Sequence, residues 1–319
     1  MLIGYHASHE QFAPSLLMAC AQAAEEAGFA SVKSSDHFQP WSERQGQSGF
    51  AWSWLGASMA VTSVPFGSIC APGYRYHPAV IAQGAATLAE MFPDRFWLAI
   101  GSGQAINEAM TGLPWPEKAE RNARLSECAA VIKALLAGET VTHRGRITVV
   151  EAKLYSRPET PPPIFGAAVT EETARLVAQW ADGLLTIGSE PEASRKAIEA
   201  FREAGGEGKP VYVQHALSWA PTEDEAMEQA LDQWSSAVAG GEVNWDLRRP
   251  KDFDTVGALI SADRIHQSVA VSADPGWHAE RLAAYRELGV DAVYIHNVGT
   301  NQRQFIEAFG AKVLPQLAD

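Results

Sequence analysis

Short apolar runs alternate along this chain with longer stretches in which apolar residues recur at helical spacing. The runs read as strands at Leu2–His6, Ala30–Ser35, Phe66–Cys70, Phe96–Ile100, Pro163–Ala167, Gly183–Ile187, Val211–Trp219 and Ala292–His296. Between them the periodicity predicts helices over Pro14–Glu26, Ala79–Met91, Glu117–Leu136 and Glu171–Trp180. It continues with helices over Pro191–Ala204, Thr222–Ala237, Gly276–Leu288 and Gln302–Leu314. Ile147–Tyr155 reads as an extra extended piece or hairpin, and Ser268–Ser272 as a short strand or extended loop. Gly28 suits a left-handed cap after the first helix. Pro191 begins its helix where a missing N–H costs nothing. Residues Ala239–Val256 lack clear periodicity and are expected to form a long loop near the end of the seventh strand. Such a loop is either a surface excursion or a lid.

One pattern recurs. The stretch from Ala24 to Val32 resembles that from Tyr285 to Val293, with a weaker echo from Ala178 to Leu185. Each is a helix end, a tight turn and the start of a buried strand, which is the αβ connection of a parallel sheet. Eight such strands, spaced by about 40 residues, favour a closed barrel over an open sheet. A dinucleotide fold would place Gly-x-Gly-x-x-Gly after the first strand, and none is there; Gly101-Ser102-Gly103-Gln104-Ala105-Ile106 keeps only the first two glycines. The expected architecture is α/β, a single (β/α)8 TIM barrel with insertions, with residues 1–319 as one domain.

Composition narrows the partners. The chain is 46% hydrophobic and 20% charged, a globular balance with material for a sizeable core. Its net charge of −13 argues against nucleic acid and anionic membrane, and requires any bound phosphate to be held locally. Cys20, Cys70 and Cys128 are too scattered for a disulfide framework or zinc motif. The nine histidines show no His-x-His or His-Glu-x-x-His spacing, so no metal site is expected. No basic segment with a long apolar run precedes the first strand, and no run approaches about 18 apolar residues. A cytoplasmic protein with a small-molecule substrate is the resulting expectation.

In a barrel, chemistry sits where the strands end. The segment after the second strand carries Ser35-Asp36-His37-Phe38-Gln39-Pro40-Trp41. His37 is the best acid/base candidate, because imidazole exchanges a proton near neutral pH. A purely structural histidine is the competing explanation. Gly101, Ser102 and Gly103 allow close approach of backbone to a ligand, though such glycines also make plain turns. Asn107 could donate to a phosphate. The turns Ala167-Ala168-Val169-Thr170 and Thr186-Ile187-Gly188-Ser189 precede helices, whose N-terminal amides favour anions. Trp41, Trp52, Trp54, Tyr74, Tyr76 and Trp115 could wall an aromatic pocket or simply pack beneath loops.

Four blocks carry a family resemblance: Tyr5 to Pro14, Ser35 to Trp41, Arg75 to Gln83 and Gly101 to Glu108. Together they resemble the coenzyme-F420-dependent glucose-6-phosphate dehydrogenase branch of the luciferase-like flavin and deazaflavin oxidoreductases. The resemblance spans most of the chain and is strongest before about residue 140. It implies a flavin-type ring across the barrel mouth, backed by a cis peptide at Ser68-Ile69, a bond that persists only where the surroundings force it. It places the family's ring-contacting aspartate, catalytic histidine and nearby tryptophan on Asp36, His37 and Trp41. Cofactor contacts follow at Ser68, Ile69, Gly101, Ser102, Gly103, Asn107, Ala167, Ala168, Val169, Thr170, Thr186, Gly188 and Ser189. A homodimer is implied as well.

The departures bear on function. The family's catalytic glutamate is Gln104 here, and an amide can orient a substrate but cannot serve as a general acid. The lysines that hold the sugar phosphate fall on Ser189 and Gln267. The Gly-Gly of the fifth-strand turn is Val169-Thr170. These changes resemble a side branch using ordinary flavin, so the leading expectation is an FMN-dependent oxidoreductase. It would work by hydride transfer or with oxygen, with His37 as acid/base. The alternatives are an F420-dependent dehydrogenase or reductase with a non-phosphorylated substrate, and a non-catalytic flavin-binding protein.

Overall fold

The computed structural model describes residues 1–238, 240 and 243–318. Eight parallel strands form the wall of a barrel: β1 Leu2–Ala7, β2 Val32–Ser34, β3 Phe66–Cys70, β4 Phe96–Ile100, β5 Ile164–Ala167, β6 Gly183–Gly188, β7 Val211–Ser218 and β8 Ala292–Asn297. The ring closes through β8 and β1, which pair from Leu2↔Ala292 to Tyr5↔Ile295, and through β6 and β7, which pair from Leu184↔Val211 to Gly188↔His215. The structure is therefore the expected (β/α)8 barrel. A two-residue strand, Ala270–Val271, pairs on the flank of β7. Val141–Arg144 and Thr148–Ala152 form an antiparallel hairpin that starts upstream of the extended piece expected from sequence.

Alternation along the strands builds the interior in layers. Trp97 of β4, Phe165 of β5, Tyr212 of β7 and Tyr294 of β8 meet on the axis, with Phe165 and Tyr212 stacked at 4.4 Å and Trp97 within 5.4 Å of the other three. Gly67 makes room for this plug: a Cβ there would lie 1.8 Å from the Trp97 ring. Two residues further along each strand, on the same face, stand Ala99, Ala167, Gln214 and His296. These side chains begin the floor of what lies above.

Three expectations are corrected. No cis peptide bond occurs among the described residues, so Ser68-Ile69 is trans; β3 runs in unbroken register with β4 from Phe66↔Phe96 to Cys70↔Ile100. A helix at Ala51–Ala60 was not foreseen, because AWSWLGASMA has almost no polar face to reveal a period. The stretch 239–256 is not a structureless loop. Residues 239, 241 and 242 lie outside the described residues, but Val243–Asp246 forms one helical turn and Pro250–Gly257 two, the latter seating Phe253 in the interior. Helices that short hide their periodicity. No described helix is long and apolar enough to cross a membrane.

Candidate active site

A cavity of about 270 Å³ opens at the C-terminal ends of the strands, close to the lower end of small-molecule sites. Its wall divides by chemistry. Strands β3 to β6 and their turns contribute mostly small and apolar residues, Ile69, Ala71, Gly101, Gly103, Ala167, Ala168, Leu185 and Ile187, with Ser102, Gln104, Asn107, Glu108 and Thr170 among them. Strands β1, β2, β7 and β8 contribute His6, Lys33, Gln214 and His296, with Glu10 and His37 just beyond them. The apolar side suits a flat heterocycle. Gly101 lies against it, where an added Cβ would stand only 3.4 Å from the Ala167 Cβ, and Gly103 turns with φ +82°, a conformation that favours glycine. Residues able to hold a flavin-type ring and its tail are therefore present, with Lys118 beside the β5 turn at 3.1 Å from the Thr170 hydroxyl.

On the polar side His37 and Glu10 form a close pair, Nε2 to Oε1 at 3.2 Å. Glu10 also accepts from Ser8 (2.9 Å) and Ser35 (2.6 Å). Burial opposes its charge, but His37 and the two hydroxyls outweigh it and hold the carboxyl down at about 2. An ionised Glu10 requires the proton of the His37 ring on Nε2. The other ring nitrogen, Nδ1, is buried and has no partner among the described residues. Trp41 packs beside this ring at 5.1 Å and is braced by Phe253 at 5.2 Å.

Asp36, just past β2, reaches into a second network. Arg75 binds it at 3.2 Å, the Tyr76 hydroxyl donates to it at 3.1 Å, and Arg75 also faces Glu108 at 3.8 Å. Burial raises both carboxyls, Glu108 to about 7, against the pull of Arg75. Asn107 turns its carbonyl oxygen to the Phe38 N–H at 2.9 Å and so pins the loop bearing His37. It lines the cavity as an anchor for that loop.

Of the residues singled out from sequence, Asp36, His37, Trp41, Ile69, Gly101, Ser102, Gly103, Gln104, Asn107, Ala167, Ala168, Val169 and Thr170 meet at this one cavity. Four stand apart from its lining. The Ser68 hydroxyl accepts from Ser34 at 3.0 Å within the wall. Thr186 faces outward because its neighbours Leu185 and Ile187 face in, and Gly188 and Ser189 lie past the rim. Gln267 is exposed and bound to Arg264. Among the aromatics, Trp52 and Trp54 pack beneath the surface, Trp54 on His9 at 4.9 Å. Trp234 and Trp245, from the second half, line the cavity instead. Sequence reasoning gave no role to Glu10, Lys33, His6, Gln214 or His296. Inward alternation of β1, β7 and β8 is the signal that would have found His6, Gln214 and His296.

At the strand ends of this closed barrel a histidine–glutamate pair shares one cavity with a slot of small and apolar residues, the place where a barrel enzyme carries its chemistry. The luciferase-like monooxygenase family model matches residues 2–292, and the chain belongs to that family. It is an enzyme, and the non-catalytic reading is set aside. It is 37% identical to the F420-dependent glucose-6-phosphate dehydrogenase of Microbacterium testaceum (strain StLB037), over 98% of this chain and 96% of that protein. The protein of the same description from Beutenbergia cavernae is 36% identical, over 99% and 97%. Among solved structures, an F420-dependent secondary alcohol dehydrogenase in complex with an F420-acetone adduct superposes with a TM-score of 0.92 at 29% identity, over 100% and 99% of the two chains.

Proposed function

We propose that this protein is an F420-dependent dehydrogenase or reductase acting on a small, non-phosphorylated alcohol or carbonyl compound. This displaces FMN as the leading reading, because the relatives most similar over the whole chain are described as F420-dependent. The observation that carries the chemistry is the Glu10–His37 pair with its unpartnered Nδ1. Glu10 fixes the tautomer and steadies positive charge on the ring, the role a buried carboxylate plays beside any catalytic imidazole. Nδ1 then takes the substrate hydroxyl proton in oxidation and returns it in reduction. Trp41 holds the substrate against the ring of His37. Bound deazaflavin would supply the two-electron hydride acceptor or donor; Ile69, Gly101–Gly103 and Ala167 would hold its ring, and Lys118 and Thr170 its tail.

Sugar phosphate is disfavoured by the same geometry. Ser189 and Gln267 replace cations and do not line the cavity. Of the rim cations, Arg121 faces Asp246 at 3.5 Å, and Lys118 lies at the β5 turn, where the cofactor tail is placed above. The test is titration of the purified protein with F420 and with FMN, followed by loss of F420 absorbance with small secondary alcohols, hydroxy acids and glucose 6-phosphate. F420 binding and turnover of an alcohol or hydroxy acid are expected. Tight FMN binding without F420 binding, or turnover of glucose 6-phosphate alone, would defeat the proposal.

A further inference from the structure

Lys33 is a buried cation, and among the described residues no carboxylate pairs with it directly. Its side chain stands at the floor of the cavity with 1% of its surface exposed. Nζ has two protein acceptors for its three N–H donors, Gln214 Oε1 at 2.6 Å and His6 Nδ1 at 3.4 Å, both neutral. Burial holds His6 well below the ordinary imidazole range. Glu10 is the nearby anion and favours the charged form of Lys33 through space, but its direct partners are His37, Ser8 and Ser35, with no bond to Nζ. Beside His6, at 4.6 Å between rings, His296 donates through Nε2 to Gln11 at 2.9 Å and leaves its buried Nδ1 unpartnered.

A buried ammonium is costly, and a methionine would fill the same volume at less cost. Burial brings Lys33 down to about 7, so folding works against its charge. A ligand that supplies the missing anion explains why the position carries lysine. The size of the site limits that ligand. Lys33 and His37 line the same cavity of about 270 Å³, so a ligand held by both beside a cofactor ring is small.

We propose that the polar side of the cavity is a carboxylate subsite anchored by Lys33, so that the substrate is a short-chain hydroxy or oxo acid. This rests on the dehydrogenase reading of the same site and names its substrate class. The carboxylate takes the third N–H of Lys33 at the floor. The carbinol then stands beside His37, whose Nδ1 accepts the hydroxyl proton. Bound deazaflavin would take the carbinol hydrogen with its electron pair as hydride, leaving the carbon–oxygen double bond.

Calorimetric titration of the full-length protein with 2-oxobutanoate and with butanone tests this directly, since the two differ in the carboxylate. The acid is expected to bind at least about tenfold tighter, a difference of about 1.4 kcal/mol. Lys33→Met should bring the two within about threefold, with Lys33→Gln measured alongside as a second neutral variant and Lys33→Arg keeping part of the preference. A melting temperature of the Met variant at or above that of the parent shows that the fold is intact. Absence of saturable binding of the acid, equal affinity for both probes, a preference that survives in both neutral variants, or preferred binding of glucose 6-phosphate would each overturn the proposal. No cofactor enters this titration, so its outcome is separate from the F420 reading: a protein that binds FMN and still prefers the acid refutes the cofactor assignment alone.

Discussion

The two sides of the cavity are built by one device and differ in chemistry. On each side, inward residues stand two positions beyond the aromatic plug. On β4 and β5 these are Ala99 and Ala167, small enough to leave a slot. On β7 and β8 they are Gln214 and His296, which join His6 and Lys33 in a polar floor. The apolar side suits a planar group by shape, and its buried acids, Asp36 and Glu108, are tied up with Arg75. The polar side holds ionisable groups whose protons are fixed by partners. The fold supplies the alternation, and function follows from which residues occupy it.

The contrast breaks most directly at His37. His37→Ala should lower kcat for the alcohol or hydroxy-acid substrate by roughly 100- to 10,000-fold while cofactor affinity, set on the other side, changes little. Parallel turnover assays and cofactor titrations read the two sides separately, and a joint loss would show that they are not independent. Next in size is Arg75→Met, which strands two buried carboxylates, Asp36 and Glu108. It should cost about 3–5 kcal/mol in a urea melt. Such a loss would place the Arg75 network among the supports of the fold.

Glu10 links stability to acid. Its folded value, about 2, lies below the ordinary 4.5. The stabilisation is therefore complete above pH 4.5 and is lost as pH falls from there through 2, amounting to about 3 kcal/mol at most. Glu10→Gln should flatten the stability curve across that window and lower kcat by about tenfold or more. Lys33 runs the other way. Its folded value, about 7, lies below 10.5, so burial costs stability below 7 and the cost fades as pH rises toward 10.5. Its facing groups are His6, Gln214 and, through space, Glu10. Lys33→Met should stabilise by about 1–4 kcal/mol near pH 6 and by little near pH 10, as thermal melts at the two pH values would show.

The barrel strands were legible because buried parallel strands read as near-continuous apolar runs; β3 and β4 were placed to the residue. The slot was legible for a related reason, since Gly101-Ser102-Gly103 and Ala167-Ala168 are small residues at strand ends. The polar floor was not. Lys33 lies between Val32 and Ser34 in a three-residue strand, too short for alternation to show which face is inward. Thr186 was misplaced because its turn was taken as a unit, whereas Leu185 and Ile187 own the inner face. Glu10 is nine-tenths and more buried yet stands in a loop, where burial leaves no periodic trace.

The roof between the two sides gives the smallest effect. Trp245 lines the cavity, and the next residue, Asp246, accepts from the Trp115 indole at 3.1 Å and from Arg121 at 3.5 Å. Asp246 is 61% exposed, so solvent screens the pair and its contribution should stay below about 1 kcal/mol. Asp246→Ala therefore leaves the melt nearly unchanged. Its consequence lies in placing Trp245 over the cavity, and a rise in KM of a few-fold with kcat held is the expected signature, since a loosened roof weakens ground-state and transition-state binding alike. A fall in kcat comparable to that of His37→Ala would mean that the roof orders the polar pair itself, and the division between shape on one side and proton chemistry on the other would no longer hold.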